Sequence, residues 1–124
     1  MFYRLKYTID SIKVVIVLLI KDGKKYVCKL DLAFEIIRGK WKVIILCHLL
    51  EGPKRFLELQ RITCGVSHKV LNEKLKEMEN DSLIYKLVYD ELPPKVEYYL
   101  TEKGNDYANV LKSIETLGDK YFDL

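Results

Sequence analysis

Pro93 and Pro94 stand side by side in Asp90-Glu91-Leu92-Pro93-Pro94-Lys95, between two runs that read as β-strands. From Leu83 to Tyr89 the residues alternate, with Leu83, Tyr85, Leu87 and Tyr89 on one side and Ile84, Lys86 and Val88 on the other. Val96 to Leu100 is a second aromatic and β-branched run. Proline has no N–H for a sheet ladder and a fixed φ, so adjacent prolines cannot lie inside a paired central strand. The spacing predicts a β-hairpin with a stiff proline tip.

What precedes the hairpin restricts the fold further. Lys54 to Ile62 reads as a short amphipathic helix carrying Phe56, Leu57, Leu59 and Ile62. Thr63-Cys64-Gly65-Val66 is a tight connection, and Gly65 permits a positive φ there. Ser67 is placed as the N-cap of a following helix that buries Val70, Leu71, Leu75 and Met78. Its outward face carries His68, Lys69, Asn72, Glu73, Lys76 and Glu77. Two helices joined by a four-residue, glycine-containing turn make a helix-turn-helix candidate. A helix-turn-helix running straight into a β-hairpin is the plan of a winged helix.

The flanks are helical by the same reasoning. Leu30, Ala33, Phe34 and Ile37 repeat at helical spacing, and Gly39 ends that run. Trp41 to Leu50 is nearly all apolar, apart from Lys42 and His48, and is expected to be a buried helix ending before Gly52-Pro53. Thr101 begins a long C-terminal helix. On it Val110, Ile114, Leu117 and Tyr121 are spaced four, three and four apart, as in a coiled-coil seam. A stripe on the domain's own core explains this spacing equally well, but the small core of one winged domain favours a partner helix. The fold class expected is α+β, mostly helical: a winged helix-turn-helix with a two-stranded wing.

The N-terminal region carries two periodicities at once. Val14 to Ile20 is β-branched and apolar, with an Asp22-Gly23 turn signal after it, which suits a strand and hairpin. Ile9, Ile12, Ile16 and Leu19 also fit one helical face. Seven apolar residues fall far short of the roughly 20 that span a bilayer, and no small-residue cleavage site follows. Neither membrane insertion nor export is expected. Three cysteines, Cys28, Cys47 and Cys64, make no disulfide framework, which suits a reducing, cytoplasmic setting. No Cys/His ligand spacing points to zinc, and no cofactor is expected.

The net charge of +3 over 124 residues excludes a polycation or an acidic tail protein. Its distribution says more. Residues 53–76 hold six cations against two anions, whereas residues 77–100 hold two against six. The basic block coincides with the two helices of the helix-turn-helix candidate.

Several short elements occur in a fixed order. Cys28 stands thirteen residues before Trp41 in Gly39-Lys40-Trp41, followed by Ile45-Leu46, Leu49, Gly52, Arg55-Phe56 and Glu58-Leu59. Then come Val66-Ser67, Lys69, Leu71, Leu75, Met78-Glu79, Leu83-Ile84, Pro93-Pro94-Lys95-Val96-Glu97-Tyr98, Leu100-Thr101 and Gly104. Over about residues 28–118 this resembles the HxlR-type winged helix-turn-helix transcription regulators of bacteria and archaea. Lys29, Arg38, Ser82 and Lys86 depart from it, where the family commonly has proline, glycine, glycine and arginine. The resemblance implies a dimeric DNA-binding regulator whose first and last helices form the dimer. It divides the chain into residues 1–27, an extension of uncertain role, and residues 28–124. The last of these include the C-terminal dimerisation helix at about 101–122. The extension is expected to be an added dimerisation arm or the product of a misassigned start. The resemblance also marks Cys28 as a candidate redox switch, since some members use the matching cysteine in this way.

The chemistry of the expected site follows from groove geometry. A helix fits the major groove and its N-terminal residues reach base edges. Asn72 suits adenine, Lys69 or His68 suits guanine, and Glu73 suits cytosine, with pairing to Lys76 an equal alternative for Glu73. Ser67 serves as a cap, and its free N–H neighbours suit a phosphate. Lys54 and Arg55, and Lys86 and Lys95 on the wing, are assigned to the phosphate backbone, and Pro93 and Pro94 stiffen the wing tip so that binding freezes little. The expected function is sequence-specific recognition of double-stranded DNA by a homodimer at a palindromic operator. The effector and the regulated genes are not named by the residues. The alternative is a winged helix used only for protein contacts. An enzyme is not expected, because no nucleophile–base pair, phosphate loop or metal motif is present.

Overall fold

The computed structural model describes residues 2–9 and 12–123, with side chains from residue 20 onward. The chain divides into two compact units, residues 1–38 and 39–124. In the first, strands β1 (Phe2–Ile9), β2 (Ile12–Lys21) and β3 (Lys24–Tyr26) form an antiparallel sheet in that order. The double periodicity is thus resolved as strand, with Ile9 ending β1 and Ile12, Ile16 and Leu19 in β2. Asp22 and Gly23 make the β2–β3 turn with φ of 51° and 77°, the left-handed values that a two-residue hairpin needs. A seven-residue helix, α1 (Lys29–Glu35), follows. Its start is tied by the Val27 N–H, which donates to Asp31 at 2.9 Å.

The second unit begins with α2 (Lys40–Leu49), whose cap is Gly39 at φ 101°. Then come α3 (Phe56–Ile62), α4 (His68–Asn80), the wing strands β4 (Ile84–Tyr89) and β5 (Lys95–Leu100), and α5 (Glu102–Tyr121). The core is built from one face of each helix. Ile45, Leu46 and Leu49 of α2, Leu59 of α3, Leu71, Leu75 and Met78 of α4, and Ala108 and Leu111 of α5 are all buried. Leu83 and Ile84, at the root of the wing, join them. Val70 is only half-buried, since it sits at the edge of the α4 stripe.

The expected Lys54–Ile62 helix starts two residues late. Lys54 lies before it, paired as an isolated bridge with Tyr98 of β5 through backbone bonds of 3.2 and 2.8 Å. The bridge explains the shift, because a residue paired to a strand through its own N–H and C=O is not available to start a helix, and Arg55 after it is still extended. Arg55 is therefore the N-cap of α3, and its N–H donates to Glu58 at 3.1 Å.

Ser82, at φ 58°, occupies the left-handed region in the turn between α4 and β4. Here the resemblance leads one to expect glycine, and the backbone shows why. A side chain at such a φ costs roughly 1–2 kcal/mol, part of which glycine returns as unfolded-chain entropy. Ser82→Gly is expected to raise stability by about 0.5 kcal/mol in denaturant melts. A loss of that size would show that the serine side chain contributes more than the backbone strain removes.

Candidate nucleic-acid interface

Helix α4 is divided lengthwise. Leu71, Leu75 and Met78 point into the core, whereas His68, Lys69, Glu73 and Lys76 are exposed and Asn72 is half-exposed. The outward residues recur three and four apart, so they form one stripe from Ser67 to Lys76, roughly 14 Å long at 1.5 Å per residue. Ser67 is the N-cap: its hydroxyl accepts from the Val70 N–H at 3.1 Å. The turn before it takes positive φ at two successive residues, Cys64 at 33° and Gly65 at 92°. The Thr63 hydroxyl closes α3 by donating to the Leu59 carbonyl at 2.7 Å.

Glu73 and Lys76 do not pair with each other, and Lys69, Glu73 and Lys76 enter no ion pair among the described residues. Glu77 takes up the pairing instead. It meets Lys42 of α2 at 2.8 Å and Lys74 at 3.5 Å. The Lys42 side chain is only 9% exposed, so it is a buried ammonium whose compensating charge comes from α4. The hydrogen bond from Lys42 is the main cause holding the Glu77 carboxyl below its ordinary value of 4.5.

A depressed carboxyl pKa contributes stability that is present above the unfolded value. That contribution is lost as pH falls from about 4.5 through the lowered folded value. Glu77→Gln is expected to flatten this acid limb of the stability curve, as read by denaturant titrations at several pH values. Glu77→Ala, which leaves Lys42 buried without a partner, is expected to cost about 2 kcal/mol near neutral pH, while Lys42→Met is near neutral. An acid limb unchanged in Glu77→Gln would show that this pair does not govern it.

The cations assigned to phosphate differ in how free they are. Lys86 and Arg55 are exposed. Lys54 is largely covered, only 18% exposed, and its ammonium lies 3.5 Å from Glu51. Lys95 pairs with Glu97 at 3.0 Å and sits over the Tyr89 ring at 5.0 Å. The wing register sets Lys86 opposite Tyr98 and Tyr89 opposite Lys95. Lys86 and Lys95 therefore lie on opposite faces of the wing rather than in one patch. Pro93 and Pro94 occupy the exposed connection between the strands, as expected.

Three contacts were not legible in the sequence. Phe56 of α3 packs on His68 of α4, ring centroids 4.5 Å apart and planes tilted 46°. On the wing, Tyr85 stacks on Tyr99 at 5.3 Å and the Tyr89 and Tyr99 hydroxyls meet at 2.6 Å. That hydrogen bond is the main cause pushing Tyr99 up to about 12.

The other expected surface is on α5. Val110, Ile114, Leu117 and Tyr121 are 47–67% exposed, so the stripe does not pack on the domain's own core. Beside it, Val43, Ile44, Cys47 and His48 of α2 and Leu111, Ile114 and Glu115 of α5 line a groove of about 280 Å³. Burial pushes the Cys47 thiol up, away from the reactive thiolate. Cys28 and Cys64 are exposed, and Cys28 is the N-cap residue of α1. Among the described residues no group of His, Cys, Asp and Glu could hold a metal ion, and no helix is long and apolar enough to cross a membrane.

Comparison with known proteins places this geometry. Residues 36–124 match the model of the HxlR-like helix-turn-helix family. The chain is 40% identical over 102 residues to the uncharacterised HTH-type transcriptional regulator YtcD of Bacillus subtilis, covering 82% of this chain and 81% of that one. The structure of the redox regulator HypR in its oxidised form aligns with a TM-score of 0.73 at 35% identity, covering 78% of this chain and all of that one. Diamide-treated YodB from B. subtilis aligns with a TM-score of 0.63 at 34% identity, over 77% and 95% of the two chains. With its helix-turn-helix, wing and long final helix, the chain belongs to the HxlR-like helix-turn-helix family and is a transcriptional regulator, not an enzyme.

Proposed function

We propose that this regulator binds a specific double-stranded DNA operator as a homodimer, with α4 of each protomer in the major groove. The observation that carries the reading is the outward stripe of α4, whose Lys69, Glu73 and Lys76 have no ion-pair partner among the described residues. Buried on one side and unpaired on the other, the helix presents its polar groups to a ligand. Asn72 suits adenine, Lys69 and His68 suit guanine and Glu73 suits cytosine, while Ser67 caps the helix beneath them. Lys76, Arg55 and Lys86 are the freer phosphate contacts; Lys54 and Lys95 add charge from paired positions, and Pro93 and Pro94 stiffen the wing tip.

The exposed row Val110, Ile114, Leu117 and Tyr121 of α5, with α1 beside it in role, supplies the dimer contact. A two-fold dimer sets its recognition helices roughly 34 Å apart and reads a palindrome. Residues 1–27, which the family match does not reach, are an added N-terminal element. The test is binding of the full chain to a duplex selected from a random pool, measured across salt concentrations. Affinity should fall steeply as salt rises. Salt-insensitive or absent binding would favour a protein-interaction module instead.

A second reading concerns regulation. Cys28 is exposed, and the similar structures include a redox regulator in its oxidised form and a regulator treated with diamide. We propose Cys28 as a redox switch of operator binding. Diamide is expected to change operator affinity at least several-fold in the wild type and not in Cys28→Ser. Equal responses of the two proteins would remove Cys28 from that role.

A further inference from the structure

The contact between Phe56 and His68 joins the first residue of α3 to the first residue of α4, across the turn of the helix-turn-helix. Phe56 is half-buried and His68 is exposed. Phe56 is itself held from behind. The N-cap box between Arg55 and Glu58 fixes the start of α3, and the backbone bridge from Lys54 to Tyr98 fixes the residue before it to the wing. A continuous chain of contacts therefore runs from the wing strand β5 to the front of α4.

An exposed imidazole at a helix start would otherwise exchange among rotamers and lose that freedom on binding. Packed on Phe56 in a tilted aromatic pair, it has one face covered and is ordered before a ligand arrives. His68 makes no hydrogen bond or ion pair with another described residue, so its ring nitrogens are available.

We propose that Phe56 is a positioning residue for DNA recognition, which presets the His68 imidazole as a donor toward a base edge. This rests on the reading of α4 as the helix that enters the groove. The test is a double-mutant cycle on the selected duplex with wild type, His68→Ala, Phe56→Leu and the double variant. Each single change is expected to weaken specific binding about tenfold, with the double variant no weaker than His68→Ala. Phe56→Tyr should restore wild-type affinity, and binding to non-specific duplex should stay unchanged throughout. Effects that multiply to about a hundredfold would assign Phe56 to packing alone and overturn the proposal, as would four equal affinities.

A measurement on the unmodified protein stands independently of how the variants fold. The chain has two histidines, so the His68 ring protons are identified in NMR spectra by their loss in His68→Ala. They should be shifted upfield by the Phe56 ring; ordinary positions for an exposed histidine would overturn the contact. Failure of the parent reading looks different, because the wild type would then show no salt-sensitive duplex binding at all. Wild-type binding that is lost in Lys69→Ala but unaffected in the cycle sinks only the role of Phe56.

Discussion

Gly104→Ala is expected to lower the melting temperature by roughly 10 °C. Gly104 is buried in the first turn of α5, and its N–H donates to the Thr101 hydroxyl at 3.0 Å. A Cβ built there would overlap the Leu83 carbonyl oxygen and come within 2.9 Å of its carbon. That oxygen cannot simply move aside, because it accepts from the Thr101 N–H and hydroxyl, both at 3.1 Å. The Lys103 ammonium, 2.8 Å from the Asp81 carbonyl, ties the same turn to the same helix. Relief requires α5 to slide off the root of the wing, which costs about 3 kcal/mol as an overpacked core contact. Gly118 on the same helix supplies the control, since nothing lies within 4 Å of a Cβ placed there. Gly118→Ala should gain about 0.5–1 kcal/mol from helix propensity. A Gly104→Ala protein that melts with the wild type would show that α5 does not seat on Leu83 in this way.

Lys69→Ala combined with Asn72→Ala is expected to reduce specific operator affinity by about a thousandfold or more. Each good base contact is worth about 1–3 kcal/mol of discrimination, and a homodimer loses both contacts in both half-sites. Neither side chain belongs to the buried set, so the melting curve should stay where it is. Binding to non-specific duplex should fall much less, because it depends on total phosphate neutralisation and only Lys69 carries charge. Affinity within threefold of the wild type would take α4 out of the interface and leave the stripe as ordinary solvated surface.

Much of the architecture was legible because it depends on residues a few positions apart. The proline pair closes the wing, Ser67 and Thr101 cap the helices that follow them, and Gly65 turns the chain between α3 and α4. Core periodicity located Leu71, Leu75 and Met78 on the buried face of α4 for the same reason. The stretch from Val14 to Ile20 fitted two periods, because a continuous apolar run carries no phase. Pairing with β1, from Phe2 opposite Leu19 to Ile9 opposite Ile12, settles it as a strand.

The candidate site was legible as a helix face but not as a set of free and engaged groups. From the residues alone, Lys54, Arg55, Lys86 and Lys95 were four equivalent cations. Packing separates them, covering Lys54 beside Tyr98 and Glu51, drawing Lys95 to Glu97, and leaving Arg55 and Lys86 open. Glu77 sat on the outward face of α4, yet it is claimed by Lys42 from a helix more than thirty residues away. The sequence by itself determined the helices, the wing and their order from about residue 30 onward, and the family, since capping, turn chemistry and periodicity act along the chain. Only the tertiary structure decided which charges remain available and that Phe56 meets His68. Those contacts join residues that become neighbours only after the helices pack, and local patterning does not encode such pairings.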